Sequence, residues 1–575
     1  MRPRKVVIIG GVAGGASAAA RLRRLDEAAE IVMVERGPYI SFANCGLPYH
    51  ISGAIADRDD LLVTTAEDFE ARFNVRVMAL TEAVAIDRLR KVVSLRAVDT
   101  GRAFEESYDQ LVLSPGAAPI RPPLPGLDSP GVFVLRNIPD LDRIIAHIGE
   151  EKITHATVVG AGFIGVEVAE NLIESGLDVT LIERGPQVLP FLDEELASLA
   201  AQECRCHGID LRTGTSLEAV QVVDDHLEVL LDDATRLPTG LVLLAIGVAP
   251  ESKLAIDAGL ELGPRRGITV DLQMRTSDPH IFAVGDAVEV VDRVTGEVLP
   301  KFLAGPANRQ GRLAADVIVG RDSTYPGALG TSIIKVFDLV AACTGLSERE
   351  ARRRNTPHRV AWIHARDHAG YYPGARPLTL KAIFDPETGK LLGAQAVGYQ
   401  GVDKRIDVLA TALTAGMTVY DLEGLDLAYA PPFSSARDPV NQLGAVGSGI
   451  LRGDHPSVSW DELQARIDAG AVLLDVREEH EYRLGTIDHA QHIPLPELRE
   501  RLGEIPRGKP VIILCQEGLR GYLATRILEQ NDFDVSNLLG GYRLWSMVHR
   551  PWELYEPHCP QVSPHPTIPR VMAGT

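Results

Sequence analysis

Two stretches of the chain share one pattern of apolar and polar positions: a short apolar run, a cluster of glycines, an alanine-rich stretch with helical spacing, and a second apolar run closed by glutamate. The first is KVVIIGGVAGGASAAARLRRL followed by EIVMVER; the second is ATVVGAGFIGVEVAENLIESG followed by DVTLIER. Each predicts a strand, a tight turn, a helix and a second strand, the βαβ unit of a parallel sheet. From about residue 325 the pattern changes. TSIIKVFDLVAACTG, KAIFDPETGKLLGAQAVG and DVLATALTAGMTVYDL predict strands, a turn and helices with no glycine-rich turn, as in an α+β domain. GAVGSGILRGDHPSVS, residues 444 to 459, is rich in small residues and broken by proline, and reads as a linker. Beyond it AVLLDVRE, HIPLPELRERL, PVIILCQEGLRG and YLATRILEQ alternate strand and helix, as a separate small α/β domain does.

The glycine clusters bring in chemistry. Such a turn lets the backbone approach a pyrophosphate whose charge rests at the helix N-terminus, and an acid ending the second strand can hold a ribose hydroxyl. Glu35 and Glu183 occupy that place. The second cluster fits G-x-G-x-x-G at Gly160, Gly162 and Gly165. The first keeps Gly10 and Gly15 at the outer positions but has Val12 in the middle, with Gly11 and Gly14 beside it to supply the slack; taken alone it also fits a buried strand-to-helix turn. Two such units imply two dinucleotides, and the common chemistry between two dinucleotides is hydride transfer from nicotinamide to flavin.

Composition narrows the class. At roughly 150 residues per domain, 575 residues imply about four domains. The balance of 45% hydrophobic and 24% charged residues is that of a soluble globular protein, and no apolar run reaches the roughly 20 residues of a membrane span. The N-terminal apolar run breaks into glycines too early for a signal peptide, and the scattered cysteines fit a reducing cytoplasm as the expected compartment. A net charge of −20 argues against nucleic acid or an anionic membrane as partner. The six cysteines, at 45, 204, 206, 343, 515 and 559, form neither a disulfide scaffold nor a zinc pattern, and no metal is expected.

TSDPHIFAVGDAVEV, residues 276 to 290, is a strand ending in Gly285 and Asp286, where Asp286 is either a helix cap or, as in two-dinucleotide flavoproteins that this segment resembles, the ligand of a ribityl chain. LVLSPGAAP (111 to 119) and LAIGVAP (244 to 250) resemble the crossovers between flavin and nicotinamide domains in those proteins. Cys45 sits in SFANCGLPYH, ten residues after Glu35, where a thiolate can exchange electrons with a flavin if a helix N-terminus or basic neighbour lowers its pKa. Position 50 is His, so an internal C-x-x-x-x-C dithiol is excluded, and a single cysteine must cycle through a mixed disulfide, a persulfide or a sulfenic acid.

On GGVAGGASAAARLRR, SFANCGLPY, VGAGFIGVEVAENL, AVGDA and AYAPPFSSARDPVN, residues 1 to about 445 resemble the single-cysteine pyridine nucleotide-disulfide reductases, most closely the coenzyme A-disulfide reductases. The resemblance implies FAD held by Gly10, Gly11, Ala13, Gly14, Gly15, Glu35, Arg36, Ser114, Pro115, Gly116, Gly285 and Asp286. It implies NADH or NADPH on Gly160, Gly162, Ile164, Gly165, Glu183, Arg184 and Gly247; the Glu183 carboxylate favours NADH, while Arg184 beside it can accommodate NADPH. Coenzyme A, bound also as a mixed disulfide, is implied at Ser17, Arg21, Arg24, Ser41, Asn44 and Arg72. Arg21 and Arg24 lie at i and i+3 on one helix face, suited to phosphates or to water. In the family, tyrosines matching Tyr372 and Tyr429 reach the other subunit's active site, which implies a homodimer. Relatives that reduce oxygen or peroxide carry His where this chain has Ala13, which argues against peroxidase chemistry.

Cys515 follows an apolar strand and precedes a helix, and the loop Cys515, Gln516, Glu517, Gly518, Leu519 and Arg520 resembles the C-x-x-G-x-R active-site loop of single-domain rhodaneses. Backbone N–H groups of such a loop cradle an anion, and Arg520 adds charge, so thiolate and persulfide are stabilised. Asp475 and Arg477 match the rhodanese D-x-R. Cys204 and Cys206 read as structural residues at a helix end, Cys343 as core, and Cys559 as part of a proline-rich tail. His364 and His368, at i and i+4 without an acidic ligand motif, read as loop residues.

The expected fold class is α/β, with two Rossmann-like domains, an α+β dimerisation domain and a rhodanese-like α/β domain. The boundaries are 1–115 with 250–325 for FAD, 116–249 for NAD(P)H, 326–445 for dimerisation, 446–457 for the linker, 458–550 for the rhodanese domain and 551–575 for the tail. The expected activity is NAD(P)H-driven cleavage of an S–S bond in CoA persulfide, CoA disulfide or polysulfide at Cys45, with Cys515 handling sulfane sulfur. The rivals are a sulfurtransferase whose flavoprotein part senses CoA redox state, and a water-forming NADH oxidase.

Overall fold

The computed structural model describes residues 3–224 and 226–551, so Cys559 and nearly all of the expected tail lie outside the described residues. The chain divides into two compact units, residues 1–184 with 214–330 and residues 185–213 with 331–575.

In the first unit, strand Lys5–Ile9 lies at the middle of a parallel sheet with Glu30–Val34 and Arg76–Met78 on one side and Gln110–Leu113 and Ile281–Ala283 on the other. Its residues are almost all buried, as expected of a strand covered on both faces. A second parallel sheet pairs His155–Val159 with Asp178–Glu183 on one side and Leu241–Leu244 on the other. Both predicted βαβ units are therefore present, with helices Ala13–Leu25 and Phe163–Glu174 as the crossovers. The two crossover motifs pair with each other: Ala117–Pro119 runs antiparallel to Val248–Pro250, with Ala118 opposite Ala249.

The second unit carries two sheets. Five antiparallel strands between Ser332 and Gly398, in the order Ser332–Val336, Leu339–Gly345, Leu391–Gly398, Pro377–Phe384 and Arg359–Arg366, make the α+β fold the pattern predicts. His364, expected in a loop, lies in the strand Arg359–Arg366 with Nδ1 2.9 Å from Thr379 Oγ1 across the hairpin; His368 does follow the strand but is buried, Nδ1 3.1 Å from Asp367 Oδ2. The parallel sheet that follows orders Ser457–Val458, Val535–Leu538, Val511–Leu514, Val472–Asp475 and Gln491–His492, buried between two apolar clusters.

The expected linker is corrected by the structure. Helix Pro439–Arg452 runs through its first half and ends at Gly453, whose φ of +79° suits a glycine cap. The small residues of GAVGSG are there for packing: a Cβ on Gly444 would lie 2.4 Å from the Glu423 backbone nitrogen, and one on Gly447 2.8 Å from Val419 Cγ1. Only residues 453 to 456 connect this helix to the next strand.

Lys381, fully buried, lies 2.9 Å from Asp193, 3.5 Å from Glu195 and 2.6 Å from Glu348, with its Nζ 4.6 Å from the Trp362 ring centroid. Burial works against its charge, and the three carboxylates more than offset it, so its pKa is raised. From the rhodanese-like segment, the Trp460 indole N–H donates to Glu195 at 2.7 Å and Asp461 pairs with Arg352 at 2.6 Å, fastening the two sheets of this unit through one charge network.

Candidate active site

Both glycine loops have the same geometry despite their different spelling. Gly10 and Gly160 begin them at φ +96° and +103°. A Cβ on Gly15 would lie 1.8 Å from Gly10 O, and one on Gly165 1.7 Å from Gly160 O, so each helix starts hard against its strand. The acids close the loops in matching fashion: the Gly11 N–H donates to Glu35 Oε2 at 2.9 Å, and the Ala161 N–H to Glu183 Oε2 at 2.8 Å. Val12 does not disturb the first turn; it is the N-cap of helix Ala13–Leu25. At Gly162 a Cβ would meet nothing within 4 Å, which leaves the open approach a pyrophosphate needs, and the residues fit a dinucleotide in both loops.

Ser114 and Pro115 lie against the first loop, since a Cβ on Gly10 would fall 2.0 Å from Ser114 O and 3.4 Å from Pro115 N, and Gly116 follows them at φ +76°. The Gly285 N–H donates to buried Gln310 Oε1 at 2.7 Å, which holds the turn bearing Asp286. Burial pushes the Asp286 carboxyl up to about 6, against the pull of Arg136. Arg136 donates to Pro115 O at 3.2 Å and to Glu251 at 2.6 Å, and Arg36 pairs with the same Glu251 at 3.0 Å, so the paired crossover strands are tied to the flavin-type loop.

Cys45 lies on a short turn, Asn44–Gly46, ahead of the helix Leu47–Ile51. Its N–H donates to Asn44 Oδ1 at 3.1 Å. Acids rather than bases act on its thiol: although the residue is exposed, the protein around the sulfur pushes the pKa up, and the charges of Glu167 and Asp286 add to the rise. Glu167 and Tyr49 were not singled out by the sequence. Tyr49 Oη donates to Glu167 Oε1 at 3.4 Å, and burial raises Glu167 to about 7. Its only sequence signal is a carboxylate two residues past the last glycine of GAGFIG, inside an apolar helix.

That pair of shifts gives a pH-dependent expectation. Glu167→Gln removes a negative charge that is present in the wild type only above about pH 7. Alkylation of Cys45 by iodoacetamide at pH 8 should be about two- to threefold faster in the variant, with the two proteins converging below pH 6 where the wild-type carboxyl is protonated. Equal rates at both pH values would remove Glu167 from the electrostatics of Cys45.

The residues expected at the CoA site divide. Arg21 donates from Nε and Nη2 to Asp316 at 3.1 and 2.8 Å, and Ser17 bonds Asn308, so both fasten helix Ala13–Leu25 to Ala304–Ile318. Arg23, between Arg21 and Arg24 in sequence, is buried and donates to five backbone carbonyls. Arg24 and Arg72 are exposed. Asn44 begins the Cys45 turn and Ser41 precedes it, its N–H donating to Gly11 O at 2.8 Å and joining that segment to the first glycine loop.

In the second unit, Tyr371 Oη lies 2.9 Å from Tyr429 Oη, both rings being exposed. Tyr372 meets the edge of His368. Cys204 and Cys206 are buried on helix Glu194–Cys206, and Cys343 lies in the strand Leu339–Gly345.

Cys515 is buried at the end of strand Val511–Leu514, with the Gly518 N–H donating to its Sγ at 3.0 Å. Burial pushes the thiol up, opposed by the N–H groups of Gly521, Gly518 and Glu517 and by the charge of Arg520. Arg520 is clamped to Glu481 at 2.6 and 2.7 Å, so part of its charge is already met. Asp475 and Arg477 form a buried pair at 2.7 Å; Arg477 also donates to Gln516 Oε1 at 3.2 Å and to Gly485 O at 2.7 Å, which makes the D-x-R a scaffold for the loop. Gly541, at φ +63°, lets the Tyr542 N–H reach Cys515 O at 2.7 Å.

Comparison with known proteins accords with this geometry. The family described as pyridine nucleotide-disulphide oxidoreductase matches residues 4–301, its dimerisation domain residues 331–440, and the rhodanese-like domain residues 459–547. A coenzyme A disulfide reductase of Staphylococcus haemolyticus is 36% identical over 442 residues, covering 77% of this chain and 98% of its own. The solved structure of reduced Bacillus anthracis CoADR-RHD superposes with a TM-score of 0.93 at 50% identity, covering 95% of this chain and 98% of that one. A NAD-dependent persulfide reductase from A. fulgidus has a TM-score of 0.89 at 40% identity, covering 94% of this chain and all of its own.

Proposed function

The chain belongs to the pyridine nucleotide-disulphide oxidoreductase family, and on that premise we propose that it uses NADH to cleave the S–S bond of a CoA persulfide, CoA disulfide or polysulfide at Cys45, while the rhodanese-like domain carries sulfane sulfur on Cys515. One observation supports this above the rest: Cys45 is the sole cysteine among residues 1–184 and 214–330, the unit that holds both dinucleotide loops. FAD in the loop around Gly10 to Gly15 and nicotinamide in the loop around Gly160 to Gly165 supply an electron pair when bound. Glu183 makes NADH the better donor, because a carboxylate accepts from a ribose hydroxyl and repels a 2′-phosphate.

In the first half of the cycle the Cys45 thiolate attacks the organic sulfur of RS–SH, breaking the S–S bond, releasing hydrosulfide and forming Cys45–S–S–R. In the second half two electrons enter that bond, RS⁻ leaves, and Cys45 is again a thiolate. The sum is RSSH + NADH + H⁺ → RSH + H₂S + NAD⁺. Because reduction delivers the thiolate directly, the acidic neighbours of Cys45 do not stall the cycle. They return the resting group toward the thiol when turnover stops. Arg24 and Arg72 meet the phosphates of CoA, with Ser41 and Asn44 beside the reacting sulfur, and Arg21 and Ser17 keep that wall in place. In a homodimer built through the dimerisation domain, Tyr372 and Tyr429 serve the second subunit's site, with the Tyr371 hydroxyl beside that of Tyr429.

The test is anaerobic consumption of NADH with CoA persulfide, CoA disulfide, glutathione persulfide and polysulfide in turn, against air-saturated buffer without any of them. At least one sulfur substrate should exceed oxygen by about tenfold or more. Consumption that answers to oxygen alone would make the chain a NADH oxidase, and sulfur transfer without NADH use would make it a sulfurtransferase.

A further inference from the structure

Gly518 donates the N–H that comes within 3.0 Å of Cys515 Sγ, yet its own backbone, at φ +111° and ψ −33°, lies outside the conformations that L residues hold readily. Such a backbone keeps its direction only if the peptides on both sides of the glycine Cα are held. The Gly518 carbonyl, in the following peptide, accepts from Asn537 Nδ2 at 3.1 Å. The same nitrogen lies 2.8 Å from His455 Nε2, and the two amide hydrogens serve one acceptor each. Asn537 and His455 are both buried. Gly521 makes room for the arrangement: a Cβ there would lie 2.1 Å from Asn537 Oδ1 and 3.4 Å from Cys515 Sγ.

His455 does not belong to the rhodanese-like sheet. It sits in the four-residue connection between helix Pro439–Arg452 and strand Ser457–Val458, its N–H donating to Gly449 O at 3.2 Å and its ring meeting the edge of Tyr522 at 5.0 Å. We infer that His455 is a positioning residue for Cys515: its Nε2 lone pair orients the Asn537 amide, which holds the Gly518–Leu519 peptide by its carbonyl, fixes the unusual conformation at Gly518 and so keeps the N–H of the preceding peptide aimed at the sulfur. The segment that joins the two sheets of this unit thereby sets the geometry of the sulfur-bearing loop. Burial lowers His455 to about 4, so the ring stays neutral and keeps the lone pair throughout the working pH range. The inference takes the role of the loop from the function proposed above, but the position of the sulfur can be measured without any sulfur transfer.

The experiment uses the full-length holoenzyme and His455→Phe, which keeps a ring against Tyr522 and loses the acceptor, beside His455→Gln, which keeps an acceptor. Modification of Cys515 by methyl methanethiosulfonate is followed by peptide-resolved mass spectrometry across pH 5 to 10. The midpoint should rise by about one pH unit in His455→Phe, the size of one weakened charge-assisted hydrogen bond, and stay near the wild type in His455→Gln. Thiosulfate-to-cyanide transfer should fall about tenfold in the first and little in the second, with NADH-driven reduction of CoA disulfide unchanged in both. An unmoved midpoint in His455→Phe overturns the inference, and so does an equal shift in both variants, which would make the histidine a space filler. If His455→Phe does not fold, His455→Leu takes its place under the same criteria. Absence of transfer in the wild type would defeat the sulfur-carrying role of the loop while the midpoints still decide the positioning.

Discussion

Cys45→Ser is expected to lose NADH-driven reduction of persulfide and disulfide by a factor on the order of 10³ or more while remaining a yellow flavoprotein. Serine preserves the turn, because the backbone N–H at position 45 donates to Asn44 Oδ1 whatever the side chain, and a serine hydroxyl can take the place of the thiol, whose Sγ lies 3.8 Å from the same oxygen. What it loses is the atom that can form and release a sulfur–sulfur bond. Nothing else in the first unit can substitute, since that unit holds no second cysteine. The loss should fall on one half of the cycle. In stopped-flow, NADH should still bleach the flavin spectrum at the wild-type rate, and reoxidation by CoA persulfide should be absent. Reoxidation of the serine protein by persulfide at the wild-type rate would mean that the substrate takes electrons without a cysteine, and the mechanism would be wrong.

The parts of this site that were legible in the sequence are those where a backbone constraint forces residue identity. Gly10, Gly15, Gly160 and Gly165 stand where any side chain would strike a carbonyl, so their spacing is visible without structure, and the matching bonds of Glu35 and Glu183 explain why Val12 could replace a glycine without loss of the turn. Cys515 was legible for a similar reason, since C-x-x-G-x-R encodes a loop. The same reasoning misread GAVGSGILRG, because glycines that permit close helix packing look in a sequence like glycines that permit turns. Pairings between distant side chains left no local trace. Arg21 read as suited to phosphates or to water because Asp316 is far along the chain, and Glu167 was not singled out because its neighbours Tyr49 and Cys45 come from another segment. Tyr371 and Tyr372 are adjacent and chemically alike, and only the fold shows which hydroxyl meets Tyr429.

Cys515→Ala should abolish sulfur transfer from thiosulfate to cyanide, by about 10³-fold or more, and leave reduction of CoA disulfide by NADH within about twofold of the wild type. The first effect follows because the loop offers its N–H groups to a single sulfur, and alanine has no atom on which sulfane sulfur can be held. The fold should survive, since the strand and the bond from the Tyr542 N–H to the carbonyl at position 515 use only backbone, and the clamps Arg520–Glu481 and Arg477–Asp475 do not involve the thiol. The second effect follows from the substrate: CoA disulfide carries no sulfane sulfur, so its reduction needs Cys45 alone. Assays of the two activities on one preparation therefore separate three arrangements. Loss of transfer alone means two cysteines with separate chemistry. Loss of both means that electrons or sulfur pass obligatorily through Cys515 even for a disulfide. Retention of transfer means that the rhodanese-like loop is not where the sulfur is held, in which case the buried thiol and its three N–H neighbours are a structural turn.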